Sequence, residues 1–95
     1  MTTLDRIAGK IIKEQELIIG PLAWEEASHV NSLRVVDKDI GEVSIEEAAD
    51  ERAVIDDLVK RYEVLFGRAA REVCKDAVVT LLADLEPSEV PSSLQ

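Results

Sequence analysis

The sequence predicts a mainly α-helical fold with a small β-hairpin (α+β), built as two helix–Gly–helix units flanking the hairpin in αα-ββ-αα order. Three observations carry that prediction. Two long stretches, Thr3–Ile19 and Ile55–Leu82, repeat apolar residues at three- and four-residue steps, which keeps them on one side of a helix at about 100° per residue. Between them, β-prone Leu33, Val35, Val36 and Val43 bracket the turn-prone run Asp37-Lys38-Asp39-Ile40-Gly41. Finally, Glu16–Glu25 is echoed by Glu63–Glu72. Glu, Gly, Ala and Glu fall at equal offsets, with three apolar residues before each Gly.

The first helix is predicted over Thr3–Ile19, capped by Thr2 or Thr3, with Asp5 favourable at the positive helix end. Leu4, Ile7, Ala8, Ile11, Ile12, Ile18 and Ile19 form its apolar side, and Lys10, Lys13, Glu14 and Glu16 its wet side. Gly20-Pro21 ends it and starts a second helix, Leu22–Val30, because Gly accepts the positive φ past a helix end and Pro suits a first turn. The hairpin is expected near residues 33–43, with Leu33–Val36 set against Glu42-Val43. Ser44 and Glu47 match a capping box, which starts the third helix near Ile45; Asp50 is the alternative start.

The third stretch turns on Gly67. Ile55, Leu58, Val59, Tyr62, Leu65, Phe66, Ala69, Val73 and Ala77 hold one phase across it, as a single helix of roughly 45 Å requires at about 1.5 Å per residue. The echo with Gly20 requires a break instead. The break is preferred because Leu65 and Phe66 together suit a helix end packed into a core. Residues 1–83 then form one helical domain. The segment 84–95, with two prolines, three serines and two glutamates, is expected to be irregular or mobile.

The net charge is −9, concentrated at the front of the third helix, in the hairpin region and in the tail. Duplex nucleic acid and anionic membranes repel such a chain, so neither is an expected partner. Arg68, Arg71 and Lys75 form the one local basic cluster and read as a solvated face paired with carboxylates. The single cysteine, Cys74, forms no internal disulfide, which fits a reducing, cytoplasmic setting. No segment has the ~20 apolar residues that span a bilayer.

Searches for chemistry give little. Cys74 and His29, the only histidine, lie far apart in sequence and make neither a nucleophile–base pair nor a zinc set. Asp37, Asp39 and Glu42 resemble the start of a calcium loop, but Gly41 falls one place early and Ala48 stands where the bidentate Glu belongs. Asn31-Ser32-Leu33 resembles the Asp-Ser-Leu of acyl carrier proteins, yet the Asp is missing and a strand-like run follows. No enzyme, cofactor or metal is therefore expected.

What remains is a small acidic interaction or assembly module, working as a homodimer or as a subunit of a larger complex. Ile18, Leu22, Trp24, Tyr62 and Phe66 are the candidate interface residues, since aromatic anchors are enriched at interfaces. Trp24 is equally readable as the largest core residue. Two alternatives come from other classes. One is an acidic regulator meeting a basic protein through the Glu46–Asp57 face. The other is a sensor of a small molecule or ion, using a cavity between helices and hairpin.

Overall fold

A computed structural model, describing residues 2–95, has the predicted order. Helix α1 (Thr3–Ile19) and helix α2 (Leu22–Ala27) come first. Strands β1 (Leu33–Asp37) and β2 (Glu42–Ile45) follow, then helices α3 (Glu51–Phe66) and α4 (Arg68–Leu82). Two single-turn 3-10 helices, Pro87–Glu89 and Ser92–Leu94, close the chain.

Helix α1 is central, because α2, β2, α3 and α4 all pack against it. Thr2 caps it through a reciprocal pair: the Asp5 N–H donates to Thr2 Oγ1, and the Thr2 N–H to Asp5 Oδ2, both at 3.1 Å. The other oxygen of the buried Asp5 carboxylate accepts from the Ile45 N–H at 2.9 Å. One side chain thus finishes a helix and holds a strand edge. Ile7, Ile11 and Ile12 are fully buried, each contributing about 1.5–3 kcal/mol of hydrophobic stabilisation.

The hairpin rests on α1 at Gly9. A Cβ there would overlap the backbone carbonyl oxygen of Gly41. Gly41 sits at φ +73° against the methylenes of Lys13, whose ammonium donates to the Lys38 and Asp39 carbonyls. Nothing in the local sequence pattern marks Gly9 for this contact, since Gly41 lies far along the chain.

Two boundaries differ from expectation, and so does the phase of the last apolar run, whose expected break at Gly67 is present. Helix α2 ends at Ala27, and the chain turns through Val30 rather than continuing helically to it. Ser44 and Ile45 belong to β2, where Ile45 is buried opposite Leu33; the alternative start, Asp50, caps α3 by accepting from the Arg52 and Ala53 N–H groups. The apolar run through Gly67 is two helices, and its phase does not persist. Helix α4 buries Ala70, Cys74 and Val78, one position on from the expected Ala69, Val73 and Ala77. Gly67 resets the register.

Residues 84–95 turn back onto α3 and α4. Ser92 Oγ, Ser93 N–H and Ser93 Oγ all donate to the Asp56 carboxylate, Arg71 Nε donates to the Ser93 carbonyl, and Leu94 is buried. Sequence gave no hint of these contacts, since each is made by a residue type ordinary for a loop.

Replacing Gly by Ala inside a helix normally stabilises it by up to about 1 kcal/mol. Gly9→Ala is expected to do the opposite and cost ~1–3 kcal/mol through overpacking. Urea denaturation of the variant checks the sign.

Candidate functional site

The echo between Glu16–Glu25 and Glu63–Glu72 is geometric as well as sequential. Gly20 lies at φ 70°, ψ −152° and Gly67 at φ 83°, ψ −175°, a region open in practice to glycine alone. The Gly20 N–H donates to the Glu16 carbonyl and the Gly67 N–H to the Glu63 carbonyl, each at 2.8 Å. The Ala23 N–H donates to the Gly20 carbonyl, and the Ala70 N–H to the Gly67 carbonyl. Buried positions 7, 8, 11, 12 and 15 of α1 correspond to 54, 55, 58, 59 and 62 of α3 at the offset that separates the two glycines.

Two reciprocal hydrogen bonds interlock the units. Gln15 Nε2 donates to the Ala70 carbonyl at 3.0 Å, and Tyr62 Oη donates to the Ala23 carbonyl at 2.7 Å. Gln15 and Tyr62 are equivalent positions, as are Ala23 and Ala70, so each unit reaches into the other at the same place. This is the reciprocity of a two-fold contact. It is local, because α2 stops at Ala27 whereas α4 runs on to Leu82. The bonds also place both glycine junctions at one end of the molecule.

Several apolar side chains are exposed beside the junctions, as Val36, Ile40 and Val79 are elsewhere. Leu17 is 79% exposed and Ile18 61%; their equivalents Val64 and Leu65 are 73% and 51% exposed. Phe66 and Leu22 are more than a third exposed. The core stripes of α1 and α3 run on through Ile18 and through Leu65 and Phe66, beyond the elements that cover them. Helix α3 therefore breaks at Gly67 without packing Leu65 and Phe66 into the core, contrary to the reason for expecting the break. Of the predicted interface residues, Ile18, Leu22 and Phe66 are accessible. Trp24 and Tyr62 lie in the core, Trp24 with its indole N–H donating to Glu16 Oε2 at 2.9 Å and Tyr62 with its hydroxyl on Ala23.

Other candidates are accounted for by internal contacts. Cys74 is buried under Gln15, whose Nε2 lies 3.4 Å from its Sγ, while His29 is exposed in the turn after α2. Burial pushes the Cys74 thiol up to about 11, against the hydrogen bond from Gln15, and also raises the Tyr62 hydroxyl, with the neighbouring Cys74 and Glu26 adding to it. Neither group is activated. The Asp37 carboxylate accepts from the Asp39 N–H, and the Lys13 ammonium occupies the turn carbonyls that a calcium ion would need. Among the described residues, no group of three or more His, Cys, Asp or Glu is placed to hold a metal ion, and no helix is long and apolar enough to cross a membrane. On the acidic Glu46–Asp57 face, Asp50 caps α3 and Asp56 holds the chain end. In the basic cluster, Arg71 pairs with Glu63 at 3.8 Å.

Open grooves flank α2. One, of about 380 Å³, lies between its C-terminal turn and α3 and is crossed by the Arg61–Glu26 pair at 3.8 Å. A wider one lies between α2 and β1. The chain matches no known family, no characterised protein and no solved structure.

Two predictions follow from the buried polar pair. Tyr62→Phe removes the bond to Ala23 and is expected to lower stability by about 1 kcal/mol in urea denaturation. The thiol ionises near 9 in an unfolded chain and near 11 in the fold, so its contribution is full below pH 9 and is lost as pH rises towards 11. The loss is on the order of 2 kcal/mol. Comparing urea midpoints of the native protein and Cys74→Ala at pH 8 and pH 11 isolates it, because other titrating groups are shared: the variant's midpoint should fall less.

Proposed function

We propose that this protein is a non-enzymatic assembly module that forms a homodimer through the end carrying the two glycine junctions. The observation that carries this reading is the pair of equivalent apolar runs before the two glycines, in which Leu17 and Ile18 on one helix and Val64, Leu65 and Phe66 on the other are exposed, while Ile19 packs on the core. A soluble monomer seldom exposes a contiguous apolar patch beyond about 300–600 Å², and a patch of this kind is a normal mark of an association site. A surface whose two halves repeat each other is well suited to a self-complementary, two-fold contact.

Charge is consistent with this choice. These runs contain no ionisable group, so a chain of net charge −9 can bring two copies together there with little direct repulsion at the contact centre. No nucleic acid or membrane is needed as a partner. Helix α2 contributes Leu22 to the rim, and Glu16 and Glu63 mark its polar boundary.

Light scattering coupled to size exclusion is expected to give a dimer at high micromolar concentration. The Ile18→Glu/Leu65→Glu double variant, altered only at exposed positions, is expected to be a folded monomer. A native protein that stays strictly monomeric at that concentration removes the reading.

A further inference from the structure

The hairpin leaves one strand edge open, and the register shows which backbone groups it presents. β1 and β2 pair antiparallel with Leu33 opposite Ile45, Arg34 opposite Ser44 and Val35 opposite Val43. The Glu46 N–H donates to the Ser32 carbonyl at 2.9 Å, which sets the phase of the ladder. Ser32/Glu46 and Arg34/Ser44 are then the hydrogen-bonded pairs, and Leu33, Val35 and Ile45 point their backbone groups outward. Ile45 bears this out, because its N–H leaves the ladder for Asp5. On β1, the Leu33 N–H is taken by the Val30 carbonyl. The Leu33 carbonyl and both backbone groups of Val35 face away from β2 with no backbone partner among the described residues.

This edge forms one wall of the groove between α2 and β1, about 610 Å³ in volume and open to solvent. Pro21, Trp24, Val35 and Val36 give it apolar surface, and Val36 is 53% exposed. Its rim is acidic: Glu25, Asp37 and Asp39 against Lys38. The devices that usually protect an edge strand are only partly present here. β1 contains no proline; Val35 lies on the core and Val36 is exposed, while Arg34 and Asp37 are its charged residues and the bulge between Val35 and Asp37 limits the template to a few residues.

We infer that the α2–β1 groove binds an extended, basic peptide segment of another protein, which adds to the free edge of β1 as a third strand. Its main chain exchanges two hydrogen bonds with Val35 and donates one to the Leu33 carbonyl. Alternate side chains then meet different chemistry. Apolar β-branched residues lie against Trp24 and Val36, while Lys or Arg residues between them reach Glu25, Asp37 and Asp39. A second copy of β1 fits less well, since it brings another acidic rim to the same place. This surface adjoins the dimer end at Pro21 but includes neither Ile18 nor Leu65, so the monomeric variant retains it.

The test is NMR titration of the labelled protein with a synthetic peptide of about eight residues alternating Val and Lys. Expected are amide shifts confined to Leu33–Asp37 and α2, slowed solvent exchange of the Val35 N–H, and weakening with added salt. Val35→Pro removes the unpaired N–H together with a side chain packed on the core, so its fold is checked first by its free NMR spectrum; the folded variant is expected to bind about tenfold more weakly. Glu25→Lys, at an exposed helical position, keeps the fold and is expected to weaken it several-fold. A peptide N-methylated at alternate amides is expected not to bind. The inference is overturned if no shifts appear at about 1 mM peptide, or if the N-methylated peptide binds equally well. It is also overturned if folded Val35→Pro or Glu25→Lys binds like the native protein, or if the Val35 N–H is already protected without peptide by pairing between two β1 strands.

Discussion

Gly9 has no side chain, and the arrangement of the molecule depends on that. Helix α1 packs against α2, α3, α4 and strand β2. A hairpin of two strands is marginal on its own in water and must lie on something. The turn at Gly41 meets α1 backbone to backbone at Gly9, and the Lys13 ammonium, one turn further along α1, ties down the turn carbonyls. Asp5, one turn back, holds the outer edge of β2 at Ile45. Three positions spaced by a helical turn therefore dock the whole hairpin. This contact sets β2 against α1, with the Ile45 N–H on its outer edge taken by Asp5, and leaves β1 as the strand further from α1.

On its other side, α1 meets the second unit through Gln15. A buried primary amide is costly unless its donors are used. Here it reaches the carbonyl of Ala70 and the sulfur of Cys74, while Tyr62 repays the contact on Ala23. Two hydrogen bonds specify the register between units, and the apolar contacts around them supply most of the free energy. The two glycines supply the geometry. Each turns the chain sharply at a helix end and brings a small residue, Ala23 or Ala70, under the opposite unit.

Much of this was legible in sequence. Apolar spacing located α1, the β-prone run located the hairpin, and the echo around Gly20 and Gly67 anticipated both junctions. The functional consequences were less legible, for physical reasons. Helical periodicity says which face of a helix is apolar but not where its cover ends, so Leu65 beside Phe66 reads as a helix end packed into a core, whereas both are exposed. Trp24 and Tyr62 read as interface anchors because aromatic residues are enriched there, with Trp24 also readable as core; the partners of their polar tips, Glu16 and the Ala23 carbonyl, are internal. The role of Gly9 depends on a backbone approach from a residue far along the chain, which no local pattern encodes. The outward-facing backbone of Val35 depends on the phase of a ladder, and a shift of one residue would reverse it.

The shortness of α2 connects these features. Its counterpart α4 is fifteen residues long and covers α1 along its length, whereas α2 has six residues and stops at Ala27. Where α4 continues as helix, the chain after α2 turns through Val30 and enters β1. The truncation therefore trades helix for strand. A helix satisfies its own backbone, but a two-stranded ribbon leaves one edge unsatisfied. Because β1 follows α2 in this way, the unsatisfied edge and the groove arise together. The two exposed surfaces then have different origins within one duplicated plan. The apolar end is what the two units share, and the open strand edge is where they differ.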